Sequence, residues 1–252
     1  VRYEASVPDV QVAFDTSRAD LILGPHAVHQ RGGQYVLSGR ADGPGGELLI
    51  DFTVRPIEHR YFPPVELRSD SVVSGYVVPG LRAEATGRIC LGRECTWLSR
   101  APAYHDHNWG VWRDVTWEWG MGRGDRLDLL YGGVRGADGR FGESAAPFFL
   151  ALADADGLRQ VFRFREIAWE GSRPVFGASG VMAPERFALV AARERDTLRL
   201  RVEVVDAHAT RSGTAGLART FLQLRGRFRL EARLAGRTVA DSGLGFFETF
   251  LR

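Results

Sequence analysis

Apolar and polar residues alternate with a period of two along most of this chain. The clearest runs are Leu198-Arg-Leu-Arg-Val-Glu-Val204 and Arg227-Phe-Arg-Leu-Glu-Ala-Arg-Leu234, each with apolar side chains on one face and charges on the other. That is the pattern of an antiparallel strand with one face on a core and one in water. Similar runs predict strands near 10–14, 34–40, 47–55, 70–78, 83–91, 95–100, 115–120, 126–134, 147–154, 159–169, 186–192 and 237–241. Turn clusters such as Asp42-Gly-Pro-Gly-Gly46 and Ala137-Asp-Gly139 separate them, and helical periodicity is nearly absent. Roughly fifteen to eighteen short strands are too many for one small barrel, which closes at about eight, so two stacked barrel-like units are expected. The predicted class is all-β, with an N-terminal domain over 1–100 and a C-terminal domain over 101–252. The stretch from Gly132 to Pro147, rich in Gly and small residues, is expected to be a mobile loop at a barrel mouth.

With 252 residues and 44% hydrophobic content the chain can bury a substantial core. All 33 basic residues are Arg, so Schiff-base chemistry and a phosphate-loop Lys are excluded. The net charge is only +2 and the Arg residues are dispersed, which argues against a nucleic-acid partner. No apolar run approaches the roughly 20 residues of a membrane helix, and Asp9, Asp15 and Asp20 interrupt the start where a signal-peptide core would lie. No transmembrane segment and a cytoplasmic location are therefore expected, although a chain that opens on Val1 leaves room for a missing N-terminal piece. Cys90 and Cys95 flank Gly92-Arg93, which fits a two-residue hairpin turn. They would face each other, as a disulfide or as a pair of opposed thiols.

Candidate chemistry concentrates in Tyr104-His105-Asp106-His107-Asn108-Trp109-Gly110-Val111-Trp112, which holds two of six His, two of six Trp and the only Asn. If the run is extended, His105, His107 and Trp109 share one face while Tyr104, Asp106, Asn108 and Trp112 share the other. His105-x-His107 has a metal-ligand spacing, but the acid that would complete such a site does not follow, and no metal is expected. Gly120-Met-Gly-Arg-Gly124 lacks the third Gly of a dinucleotide loop, so no cofactor is expected. Trp117 and Trp119, with Trp109, Trp112 and Tyr131, would make an apolar cavity whose π faces can steady a cation. Glu166 and Glu248 each interrupt an apolar strand face, Glu248 between Phe246 and Phe250. A carboxyl so placed stays neutral more easily and can donate a proton.

Four segments together, Tyr104-His-Asp-His-Asn-Trp-Gly110, Trp117-Glu-Trp-Gly120, Leu129-Leu-Tyr131 and Gly243-Leu-Gly-Phe-Phe-Glu-Thr-Phe250, resemble the AttH-like and carotenoid 1,2-hydratase (hydroxyneurosporene synthase) family. The resemblance implies two tandem lipocalin-like barrels with a ligand cavity near their junction. It implies His107 and Trp109 as site residues, Tyr131 as a lining aromatic and Glu248 as the acid of the closing strand. Hydratases of this family look to have an acid shortly after the Tyr, where this chain has Gly132 and Gly133, which leaves Asp106, Glu118, Asp128 or Glu248 as substitutes. The aromatic-rich opening strand of the family is also missing from Val1 onward.

The expected function is a cofactor-independent enzyme of hydratase or cyclase type, acting on a long apolar polyene, terpenoid or polyketide between the barrels. His105, Asp106, His107, Trp109 and Glu248 are the catalytic candidates; Tyr104, Asn108, Trp112, Trp117, Trp119, Tyr131 and Phe246 are the substrate-binding ones. In an acid version a carboxyl or imidazolium protonates an alkene; in a pericyclic, Diels-Alder-type version no proton moves and the pocket folds the substrate. A non-catalytic carrier of apolar ligands is the alternative from another class.

Overall fold

The computed structural model describes residues 7–15, 17–69, 72–112, 115–136, 148–212 and 219–251, and their regular structure is almost entirely β. The chain divides into two compact units, Val1–Pro64 with Val77–His107, and Val65–Tyr76 with Asn108–Arg252. Where one boundary near residue 100 is expected, the changeover falls between His107 and Asn108, inside the motif, and a short segment of the first hundred residues belongs to the second unit.

Strands β1 (Val12–Phe14), β2 (Leu21–Leu23), β3 (His26–Arg31), β4 (Gln34–Gly43), β5 (Gly46–Pro56), β6 (Phe62–Ser69), β7 (Val72–Leu91) and β8 (Glu94–Trp112) make one sheet. Its order is β1-β2-β3-β4-β5-β7-β6, with β8 paired to β7. Tyr35, Val54 and Ala85 stand in one row across β4, β5 and β7, and with Ala83 they form the buried centre of the first unit. The β7–β8 hairpin turns at Gly92-Arg93, and a Cys90–Cys95 disulfide joins its strands.

The second unit continues with β9 (Val115–Gly124), β10 (Asp128–Gly136), β11 (Phe148–Asp154), β12 (Gly157–Phe164), β13 (Ala168–Glu170), β14 (Arg173–Pro174), β15 (Met182–Ala183), β16 (Arg186–Arg193), β17 (Asp196–Ser212), β18 (Arg219–Leu234) and β19 (Arg237–Phe250). A nine-stranded sheet runs β12-β11-β10-β9-β19-β18-β17-β16-β13, and pairing of β12 with β16 at Arg163 and Ala192 closes eight strands into a barrel. The alternation of β17 and β18 sets its inner face: Leu200 meets Leu230 and Val202 meets Phe228, with Arg199, Arg201, Arg227 and Arg229 turned outward.

Tyr131, Phe148, Phe162, Phe187, Phe228 and Phe247 lie in the lumen, each under 2% exposed. Large apolar side chains stabilise by about 1.5–3 kcal/mol each when fully buried, so these rings form the core of the unit.

Two expectations are corrected here. Glu166 is exposed and lies past the end of β12, because the strand stops at Phe164 and the next begins at Ala168. Gly132 to Gly136, expected to open a loop, continue β10; residues 137–147 of that stretch lie outside the described ones. Among the described residues no helix is long and apolar enough to cross a membrane.

Candidate functional site

Strand β9 sorts the candidate residues onto two faces. Gly120 is registered with Tyr131 on β10 and Phe247 on β19, whereas Trp119 is registered with Gly132 and Glu248. Side chains alternate along a strand, so Trp117 and Trp119 share the barrel's outer face with Phe246, Glu248 and Phe250, and Glu118 shares the inner face with Tyr131 and Phe247. The expectation that Trp117, Trp119 and Tyr131 line a single cavity is therefore corrected: the sheet itself stands between them.

On the outer face the Trp117 indole donates its Nε1–H to Glu248 Oε2 at 3.1 Å, joining two candidates 131 residues apart in sequence. The Trp117 ring lies edge-on to Phe250 at 4.6 Å and tilted to Phe221 at 5.5 Å. Trp117, Phe221 and Glu248 are each partly exposed, while Phe250 is buried. Phe246, on the same face, is 39% exposed. Trp119 belongs to a neighbouring cluster, edge-on to Tyr76 at 5.2 Å and to Phe149 at 6.1 Å. Gly132 makes room for it, since a Cβ there would overlap the Trp119 ring.

On the inner face Tyr131 is fully buried, stacked on Phe247 with centroids 6.0 Å apart. A Cβ at Gly120 would come within 2.5 Å of both rings, so only Gly lets them pack there. The Tyr131 hydroxyl has no hydrogen-bond partner among the described residues. Burial, then the charges of Glu118 and Glu248, push its pKa well up, which fixes it as a neutral donor. Glu118 is itself only 4% exposed.

The motif is divided between the units. In the first, the Tyr104 hydroxyl donates to Asp106 Oδ2 at 3.0 Å, as expected of residues on one face. His105 packs edge-on against buried Tyr35 at 4.1 Å, and its Nδ1 is enclosed without a hydrogen-bond partner. Burial lowers the His105 pKa, His107 adds to the effect and Asp106 opposes it. The imidazolium form of His105 is thereby disfavoured. His107 is exposed. In the second unit Asn108 is exposed, and Trp109 lies against Gly75, where a Cβ would collide with its ring. The side chain of Trp112 lies outside the described ones. Asp128, a substitute acid, is buried.

Sequence reasoning missed Tyr35 beside His105, and Phe221 and Tyr76 beside the tryptophans. Tyr35 and Tyr76 sit in runs read as strands and Phe221 does not, and only the tertiary pairing of distant strands tells which aromatic adjoins which.

No family model matches the sequence, and no curated protein matches it. Solved structures do. A candidate AttH from Nitrosomonas europaea matches over 92% of this chain and 69% of its own, at 15% identity and a TM-score of 0.59. CghA crystallised with Sch210972 matches over 89% of this chain and 66% of its own, at 10% identity and a TM-score of 0.59. Kievitone hydratase from Nectria haematococca matches over 89% and 84%, at 11% identity and a TM-score of 0.46. This chain has the AttH-like tandem-barrel fold and spans about two thirds of the length of the first two structures.

Proposed function

We propose that this protein is a cofactor-independent enzyme of hydratase or cyclase type, acting on a long apolar polyene, terpenoid or polyketide, with Glu248 as its proton donor. The observation that carries the reading is the Trp117–Glu248 pair: a partly exposed carboxyl held by the N–H of an indole whose own ring packs against Phe221 and Phe250.

The acid form of Glu248 transfers its proton to one alkene carbon, leaving a cation on the other. The π faces of Trp117 and Phe221 steady that cation, each by about 0.5–2 kcal/mol. Water or an internal alkene then captures it, and the proton released returns to the Glu248 carboxylate, so atoms and charge balance in both outcomes. Tyr131 and Glu118 stand behind the sheet and are assigned no contact with substrate. His105 is given a hydrogen-bonding role, with Asp106, His107 and Trp109 as its neighbours along the chain. The crystal structure of CghA with Sch210972 favours a small-molecule ligand for this fold.

The test is incubation with a panel of linear polyenes in H2O and D2O, with products read by mass spectrometry. Gain of one water indicates hydration, and an isomer carrying solvent deuterium indicates acid-assisted cyclisation. An isomer without deuterium supports the pericyclic reading, and tight binding with no product across the panel supports the carrier. Glu248→Gln is expected to cut turnover by about 100-fold or more while ligand binding, followed by tryptophan fluorescence, persists. Turnover equal to that of the parent would remove Glu248 from the mechanism.

A further inference from the structure

The outer face of the second unit carries arginines in registered rows across β16, β17, β18 and β19. One row reads Arg186, Glu203, Arg227, Leu244, and the next reads Ala188, Arg201, Arg229, Ser242. Elsewhere on this face acids oppose the arginines: Arg199 faces Glu231, Arg225 reaches Asp206 at 3.9 Å, and Arg186 reaches Glu170 at 3.6 Å. The pair Arg201 and Arg229 is different. Two arginines stand directly opposite in register, their Cβ atoms about 5 Å apart, in a row whose other members, Ala188 and Ser242, are small and uncharged. Among the described residues neither has a carboxylate partner within 4 Å. Like charges so placed destabilise a sheet.

The small residues on either side of the pair leave a groove of about 870 Å³, whose lining includes Arg186, Arg201, Arg227 and Arg229 against the acids Glu170 and Glu203. That volume lies within the range of small-molecule sites. Its rim bears Leu244, 57% exposed.

We propose that Arg201 and Arg229 form an anion site that takes the phosphate of a soluble phosphate ester or diphosphate. Phosphate is favoured over carboxylate by oxygen count, because a single guanidinium fork satisfies both oxygens of a carboxylate while a phosphate has oxygens for two forks at once. An anion seated between the two forks also replaces their repulsion with attraction, and Leu244 offers an apolar edge to the organic part of the ligand. The site stands independently of the reading of Glu248.

The experiment titrates the protein with inorganic phosphate and inorganic pyrophosphate at about 0.15 M salt, where diffuse attraction is largely screened, and follows binding by calorimetry. Saturable binding is expected, stronger for pyrophosphate. The double variant Arg201→Gln, Arg229→Gln should weaken it by roughly tenfold or more, whereas Arg233→Gln, on the same strand but outside the groove, should leave it unchanged. Circular dichroism melts confirm that each variant folds. Absence of saturable binding, or equal loss in Arg233→Gln, overturns the proposal. So does binding to phosphatidylglycerol vesicles without affinity for the soluble probes, which would make the face a membrane contact.

Discussion

Tyr131 carries its hydroxyl into a filled barrel where no described residue receives it. A buried hydroxyl left unsatisfied costs about 1–3 kcal/mol. Tyr131→Phe is therefore expected to leave the melting temperature unchanged or to raise it, by roughly 2–4 °C per kcal/mol recovered; a fall in calorimetry would mean that the hydroxyl is bonded. His105 makes a prediction in pH. Because burial resists protonation of the folded form, the unfolded chain takes up the proton first, so the stabilisation is complete above the ordinary 6.5 and is lost as pH falls through the depressed folded value. Urea midpoints measured between about pH 5 and pH 7.5 should drop on the acid side, and His105→Gln should flatten the profile. At this scale the sequence was informative about residue type and less so about company. Strand parity alone puts Tyr104 beside Asp106 and places Glu248 with Phe246 and Phe250, as found. That Trp117 should donate to Glu248 depends on β9 lying next to β19, a pairing no local pattern encodes.

Among the elements, the β9–β10 turn is held by a residue from another strand. Asp241 on β19 accepts the backbone N–H groups of Asp125, Arg126, Leu127 and Ser242 at 2.8–3.2 Å. Burial pushes its carboxyl up, yet these donors together outweigh it and hold the pKa below the usual range. Asp241→Ala should cost about 2 kcal/mol, seen as a drop of roughly 4–8 °C in melting temperature, and Asp241→Asn should cost less. Its contribution is present above the ordinary 3.8 and is lost as pH falls through the lower folded value. Most strands were legible from alternation, but their ends were not. Pro79-Gly80 and Pro102 look like breaks, since Pro lacks a donor and Gly weakens a strand, yet β7 and β8 run through them. In the other direction, the apolar run through Glu166 suggested a strand that stops two residues short of it.

For the molecule as a whole, the two units differ in what they bury. The first gathers Tyr35, Val54, Ala83 and Ala85, while the second gathers the lumen aromatics and the leucines of β10, β11, β17 and β18. Local stability follows buried apolar contact. Hydrogen exchange read by mass spectrometry should thus leave β17 and β18 protected longest and release β1 to β3 early; early exchange in β17 would contradict this. The all-β class was legible through the count of alternating runs, and the AttH-like fold agrees with the resemblance carried by four short motifs. The motif's division between units was not legible, since its extended run shows no break in composition between His107 and Asn108. Finally, the cylinder of the second unit is fastened between β12 and β16 by one registered rung, Arg163 with Ala192, while β17 and β18 are laced along nearly their whole length. Thermal breathing should part the wall at that fastening first. Solvent would then enter among the phenyl rings from that side, and a staple across it, such as a cysteine pair replacing Arg163 and Ala192, is the change that would slow the parting most.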